Sequence, residues 1–154
     1  MKHLAEINVA RLKYDADDAR VAKFVNNVDR INGIADRSEG FQWRNAAETK
    51  DPILGDDRLI ATISVWNSVE TFERFVWDTL HRQFFQQRAD WFEVMDRMHF
   101  AMWWVDPGAQ PSLAEAVARL DHLNAHGDTD FAFGWSHLPQ ATRWRDMHRA
   151  KAAE

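Results

Sequence analysis

The stretch Arg58-Leu-Ile-Ala-Thr-Ile-Ser-Val-Trp66 decides the fold. It is dense in β-branched residues (Ile60, Thr62, Ile63, Val65), which read as a strand, and Asn67-Ser68 then supplies a turn and a helix cap. Leu59, Ala61, Ile63 and Val65 form one wholly apolar face, while Ile60 and Trp66 make the opposite face apolar at both ends. Both faces of the sheet are therefore expected to be covered. Upstream, Ile7 and Val9 alternate with Asn8 and Ala10 in a strand over residues 4–12, and Phe41-Gln-Trp-Arg44 alternates in the same way. Between these two strands, Val21, Phe24, Val25, Val28, Ile31 and Ala35 lie on one stripe of a 3.6-residue repeat, predicting a single helix that ends near Ser38. Residues 45–57, with Pro52 and Gly55, read as a loop. Downstream, Val69 to Met95 is helical in pattern with a bend near Asp78 to His81, and Met98 to Val105 is a continuous apolar strand closed by Pro107-Gly108.

The order β-α-β-β-α-β predicts an α+β, ferredoxin-like antiparallel sheet with two helices on one face. A second copy of the sheet is the expected cover for the other face, giving a homodimer. The alternative cover is a C-terminal helix from Ser112 to His126, whose stripe is Leu113, Ala116, Val117, Leu120 and Leu123 and whose cap is Gly127. Phe131 to Trp135 reads as a short strand, and from Pro139 the tail is a mixed helix or arm. One domain over residues 1–154 is expected, with a core at about 3–106 and an extension at 107–154.

Composition narrows the function. The 154 residues include no cysteine, which excludes disulfides, thiolate nucleophiles and every Cys-containing metal site and suits a cytoplasmic location. A formal charge of −5 disfavours nucleic acid as a partner, and no apolar run is long enough for a signal peptide or a membrane span. The 8 Trp and 10 Phe against one Tyr point to a thick core or a roomy apolar pocket for a small aromatic ligand. Dinucleotide, P-loop, zincin, serine-hydrolase and EF-hand signatures are all absent from the sequence. His122 and His126 have i, i+4 spacing, but two imidazoles do not make a metal site.

Three residues stand out as candidates for catalysis. Asn8, on a strand among apolar neighbours, needs either a ligand or a partner such as Glu6 or Arg44. Trp66 closes the third strand on the face of Thr62 and Ser64, where an indole serves as core or as the wall for a flat ligand. His81 follows Trp77 by four residues and precedes Phe84 and Phe85, at the edge of an aromatic helix face; partial burial there keeps the imidazole neutral, fit to act as a base or to bind iron. Arg44, Ser64, Trp77, His99 and Trp103 are candidate substrate-binding residues, with Arg44 and His99 offering contacts to an anionic or carbonyl-bearing ligand.

With Asn8 on the first strand, Trp66 ending the third and His81 on the following helix, the chain resembles the dimeric α+β barrel superfamily, which includes antibiotic-biosynthesis and haem-degrading monooxygenases. Over about the first 130 residues it more specifically resembles a bacterial domain-of-unknown-function family of that superfamily. This resemblance is carried by Asn8-Val-Ala-Arg-Leu12, Asp29-Arg-Ile-Asn32, Gly40-Phe-Gln-Trp-Arg44, Ser64-Val-Trp66-Asn-Ser-Val-Glu70 and Trp103-Trp-Val-Asp-Pro-Gly-Ala-Gln-Pro-Ser112. The resemblance implies a monooxygenase-like enzyme in which Asn8 and Trp66 shape the site and His81 acts as base or, with haem as cofactor, as iron ligand. Non-catalytic binding of a ligand or haem is the alternative. For the closer family it implies the fold without an activity.

Overall fold

The computed structural model describes residues 1–45, 54–95 and 99–153. Four antiparallel strands, β1 (His3–Arg11), β2 (Phe41–Arg44), β3 (Leu59–Trp66) and β4 (Phe100–Val105), form one sheet in the order β2-β3-β1-β4. The architecture is the ferredoxin-like α+β arrangement. Leu4 stands between Trp66 and Trp104, Glu6 between Ser64 and Met102, and Asn8 between Thr62 and Phe100. Directly paired residues share a face, so this register fixes which side chains of β1, β3 and β4 can meet.

On the odd-numbered face, Ala5, Ile7, Val9, Ala61, Ile63, Val65, Ala101, Trp103 and Val105 are buried. Their cover is α6 (Leu113–His126), through Ala116, Leu120 and Leu123. The Ser112 hydroxyl accepts from the Glu115 amide (3.1 Å) at the start of this helix. At its end, Gly127 takes φ +74° and donates to the Leu123 carbonyl (2.9 Å), a conformation that a side chain would oppose. The cover on this face is thus the C-terminal helix, the alternative that the sequence offered to a second chain.

The even-numbered face is covered by α1 (Ala22–Val25), α2 (Val28–Asp36), α3 (Val69–Asp78), α4 (Leu80–Gln86) and α5 (Arg88–Trp91). Both expected long helices are broken. The first is divided into a 3₁₀ turn (Ala19–Val21), α1 and α2. At Asn26-Asn27 the Asn27 amide donates to the Lys23 carbonyl (2.7 Å), the local side-chain bond by which Asn competes with helix continuation. The second bends at Thr79, within the expected interval, because Thr79 adopts extended backbone. Its hydroxyl donates to the Phe75 carbonyl (2.6 Å) and accepts from the His81 amide (3.2 Å), closing one helix and opening the next. The helical pattern also ends at Trp91 rather than Met95. There the chain turns extended and pairs beside β1, with Lys13 donating to the Trp91 carbonyl and Glu93 to the Arg11 carbonyl.

In place of a short strand at residues 131–135 there is one bridge, Met102 to Phe133, with reciprocal backbone bonds of 2.8 and 2.9 Å. A 3₁₀ turn (Trp135–His137) and α7 (Thr142–Ala153) follow. Fully buried Glu73 of α3 accepts from the Trp144 amide (3.0 Å), fastening the start of α7 to the helical layer. Burial pushes the Glu73 carboxyl above its ordinary range. The expected loop at residues 45–57 and the expected strand start at Met98 lie partly or wholly outside the described residues. Among the described residues no helix is long and apolar enough to cross a membrane.

Candidate functional site

The even face carries two apolar clusters with a polar patch between them. One cluster gathers Leu4, Trp66 and Met102 under Phe72, Phe75 and Val76 of α3. The other gathers Leu12 and Ile60 with Val21, Phe24, Phe84 and Trp91. Between them on β1 and β3, the register places Glu6 beside Ser64 and Asn8 beside Thr62. Met102 and Phe100 border this quartet along β4. Four polar side chains in the middle of a helix-covered sheet face need partners, because an unpaired buried polar group costs about 1–3 kcal/mol.

Glu6 and Ser64 find part of that pairing in a relay. The Trp66 indole Nε1–H donates to Ser64 Oγ (2.9 Å), and the Ser64 hydroxyl donates to Glu6 Oε1 (2.6 Å). Glu6 is only 6% exposed, and burial pushes its carboxyl up to about 8 against the smaller opposing effect of the Ser64 hydrogen bond. The side chain is therefore a neutral acid at pH 7. Asn8 is half-buried, and among the described residues its amide makes no hydrogen bond to Glu6, Arg44 or any other group.

Trp66 is fully buried, stacked on Phe75 (centroids 5.2 Å, 24°) and met edge-on by Phe41 (5.5 Å). The same Phe75 ring lies 4.9 Å from the His81 imidazole, so indole and imidazole are joined through one intervening ring. His81 is half-buried on α4 and falls in sequence between Phe75 of the first cluster and Phe84 of the second. Its Nδ1 lies 3.2 Å from the Val76 carbonyl, which assigns the proton to Nδ1. Nε2 carries the lone pair, and among the described residues no hydrogen bond reaches it. Desolvation lowers the imidazole below its ordinary range, so it is neutral at pH 7.

The other candidates divide. Ser64 is in the relay. Arg44 pairs with Ser64 in the register and stands at the β2 side of the patch, but its guanidinium is held by Asp36 (Nε to Oδ1 2.7 Å, Nη2 to Oδ2 3.1 Å). Trp77 turns away into the aromatic packing of Phe85 (5.2 Å) and Trp135 (6.3 Å). Trp103 is on the odd face under α6, so the sheet separates it from Trp66. His99 is exposed just before β4, where desolvation and the Arg88 charge of α5 hold its imidazole below the ordinary range. The sequence reading passed over Glu6 as a site residue, although its place two residues before Asn8 on the same strand face was a readable signal. Among the described residues no group of three or more His, Asp or Glu side chains is placed to hold a metal, and His122 and His126 (centroids 4.4 Å) remain a pair.

A family model described as "Domain of unknown function (DUF3291)" matches residues 3–150. The chain belongs to the DUF3291 family. The match continues past residue 130 and takes in most of the C-terminal extension, so α6 and most of α7 fall within the DUF3291 region. No curated protein matches. Among solved structures, PA3566 from Pseudomonas aeruginosa is similar at 12% identity and TM-score 0.50, over 71% of this chain and 97% of that one. This likeness shows the fold alone. NE2512, a protein of unknown function from Nitrosomonas europaea, is similar at 10% identity and TM-score 0.49 over 73% and 95% of the two chains. SnoaB, a cofactor-independent oxygenase from Streptomyces nogalater, is similar at 14% identity and TM-score 0.46 over 75% and 100%.

Proposed function

We propose that this DUF3291 chain is a monooxygenase-like enzyme acting on a flat, electron-rich aromatic substrate held between the polar patch and the covering helices. The observation that carries the reading is the His81 imidazole. It is neutral, fixed in one tautomer by Val76, open at Nε2, and linked through Phe75 to the indole of Trp66. Such a group is suited to remove a proton from an acidic phenol or an activated methylene. The resulting carbanion or phenolate is electron-rich enough to be oxidised by dioxygen, and a methylene that becomes a carbonyl consumes one O₂ and releases one water. Asn8 would orient the ring through its unpaired amide.

The test is oxygen uptake, with product mass, over a panel of phenols and enolisable aromatic ketones. His81→Ala is expected to lower turnover by about 100-fold or more. Loss of activity in the wild type should set in at a lower pH than an ordinary imidazole would give, as the desolvated base takes up its proton. Unchanged turnover in His81→Ala would retire the reading.

The same imidazole favours a second reading, as a haem-binding enzyme or accessory protein. An Nδ1–H bound to a backbone carbonyl with Nε2 open is the arrangement that haem-ligating histidines adopt, so His81 fits that group. His81 would hold the iron, and the haem would supply its redox chemistry. A Soret band that appears on haem titration and is lost in His81→Ala supports this reading. Tight aromatic binding with no product in any assay supports the accessory role.

A further inference from the structure

We propose that Glu6 is the hydrogen-bond donor that recognises an oxygen atom on the flat ligand, selecting carbonyl-bearing aromatics over plain hydrocarbon rings. The inference rests on the reading above only in placing a flat aromatic at this patch, and it requires no turnover.

The argument starts from the valences of the carboxyl group. Glu6 Oε1 accepts the Ser64 hydroxyl, and Ser64 Oγ accepts the Trp66 indole proton. The single Ser64–Glu6 contact uses only one of the two protons that Ser64 and an acid-form Glu6 carry between them, so one donor is left over. With Ser64 donating to Oε1, the Glu6 proton lies on Oε2, and among the described residues no hydrogen bond to an acceptor takes it. Along the strand, the amide of Asn8 is also without a hydrogen bond, so two open polar groups stand two residues apart on one face of β1. The surrounding walls are rings and aliphatic chains: Trp66, Phe75, Phe100, Met102 and Ile60. An aromatic molecule with a ring carbonyl matches both features, its plane against the rings and its oxygen at the Glu6 proton.

The electrostatics agree with this assignment. Desolvation and the Ser64 hydrogen bond are the influences on Glu6, and no charged neighbour contributes. On β3 the facing side chain is Ser64 and on β4 it is Met102. The cation nearest in the register, Arg44 of β2, is taken up by Asp36. On the covering helices His81 is titratable and neutral above its lowered range. Nothing at the patch stabilises a carboxylate, so donation persists up to the Glu6 midpoint at about 8 and ends above it.

The experiment compares two probes of one shape and charge, anthraquinone sulfonate and anthracene sulfonate, by quenching of Trp fluorescence on the full chain. The wild type is expected to bind the quinone about five- to ten-fold more tightly at about pH 6.5, the discrimination of one hydrogen bond. At about pH 9.5 that preference should vanish. Glu6→Gln keeps a donor that cannot ionise, so its preference should survive at both pH values. Glu6→Ala, checked for native near-ultraviolet circular dichroism, should show none at either. Equal wild-type affinities at the lower pH, failure to bind either probe, or a wild-type preference undiminished at the higher pH would each overturn the assignment. Oxygen uptake decides the enzyme reading separately, because probe selection by Glu6 can hold with no turnover and turnover can occur without it.

Discussion

The two faces of this one sheet solve opposite problems. The odd face is apolar from Ala5 to Val9 of β1 and at the β3 and β4 residues paired with them, and a single uninterrupted helix with both ends capped closes it. The even face alternates apolar, polar, apolar along β1 and β3, and its cover is a series of short helices broken at Asn26-Asn27, Thr79 and Gln87. A uniform surface can be sealed by one regular element. A surface with a polar middle needs cover that packs at both ends and leaves the middle to something else. The odd face thus works as foundation, and the even face is the one that carries the proposed site.

The largest break in that comparison should come from the foundation. Trp103→Ala removes a fully buried ring under α6 and is expected to cost about 3–5 kcal/mol in urea unfolding. Preference for the quinone probe should be unchanged in the fraction that stays folded. If the preference disappears while the fold persists, the two faces are not separate in function.

The next effect is electrostatic and confined to the even face. Because the folded midpoint of Glu6 lies above its ordinary value of 4.5, the unfolded chain ionises first as pH rises. The Glu6 contribution to stability is then fully present below about 4.5 and is lost as pH climbs to about 8, by an amount on the order of 5 kcal/mol. Glu6→Gln should flatten that slope in unfolding curves measured across the interval. Some slope should remain from Glu73, whose raised carboxyl contributes with the same sign. An identical slope in the variant would mean that the carboxyl is hydrated in the folded state.

Smaller effects test the edges. Ser112→Ala removes the α6 cap and should cost about 1 kcal/mol. Arg44→Ala breaks a partly exposed ion pair with Asp36, and a change below about 1 kcal/mol is expected, with ligand preference intact. A loss of quinone binding in Arg44→Ala would bring that guanidinium back into the site.

The strands, their order and the C-terminal helix were legible because period-two and period-3.6 patterns report burial directly. The register of Leu59 to Trp66 carried most of that information. The helix breaks were less legible, since Val21 to Ala35 keeps one stripe straight through Asn26-Asn27 and a stripe does not register a side chain bonding to its own backbone. Asn8, Ser64, Trp66 and His81 could be nominated from their types and places. Trp103 was misplaced because Phe100 to Val105 is apolar on every residue and gives no alternation from which to assign faces. Glu6 was overlooked for the converse reason. An acid in a strand reads as solvent-facing, although the expectation that both faces are covered already argued against that for Glu6.

Thr79 leaves one last consequence. Because α3 and α4 meet at a single extended residue, the direction of the second helix is set by side chains and not by a continuous run of backbone bonds. The ties across that joint are the Thr79 hydroxyl bonds to Phe75 and His81, the His81–Val76 hydrogen bond, and the packing of His81 on Phe75 and of Phe85 on Trp77. The imidazole proposed as the base is thus also a rivet of the angle between two helices, and its removal tests architecture together with reactivity.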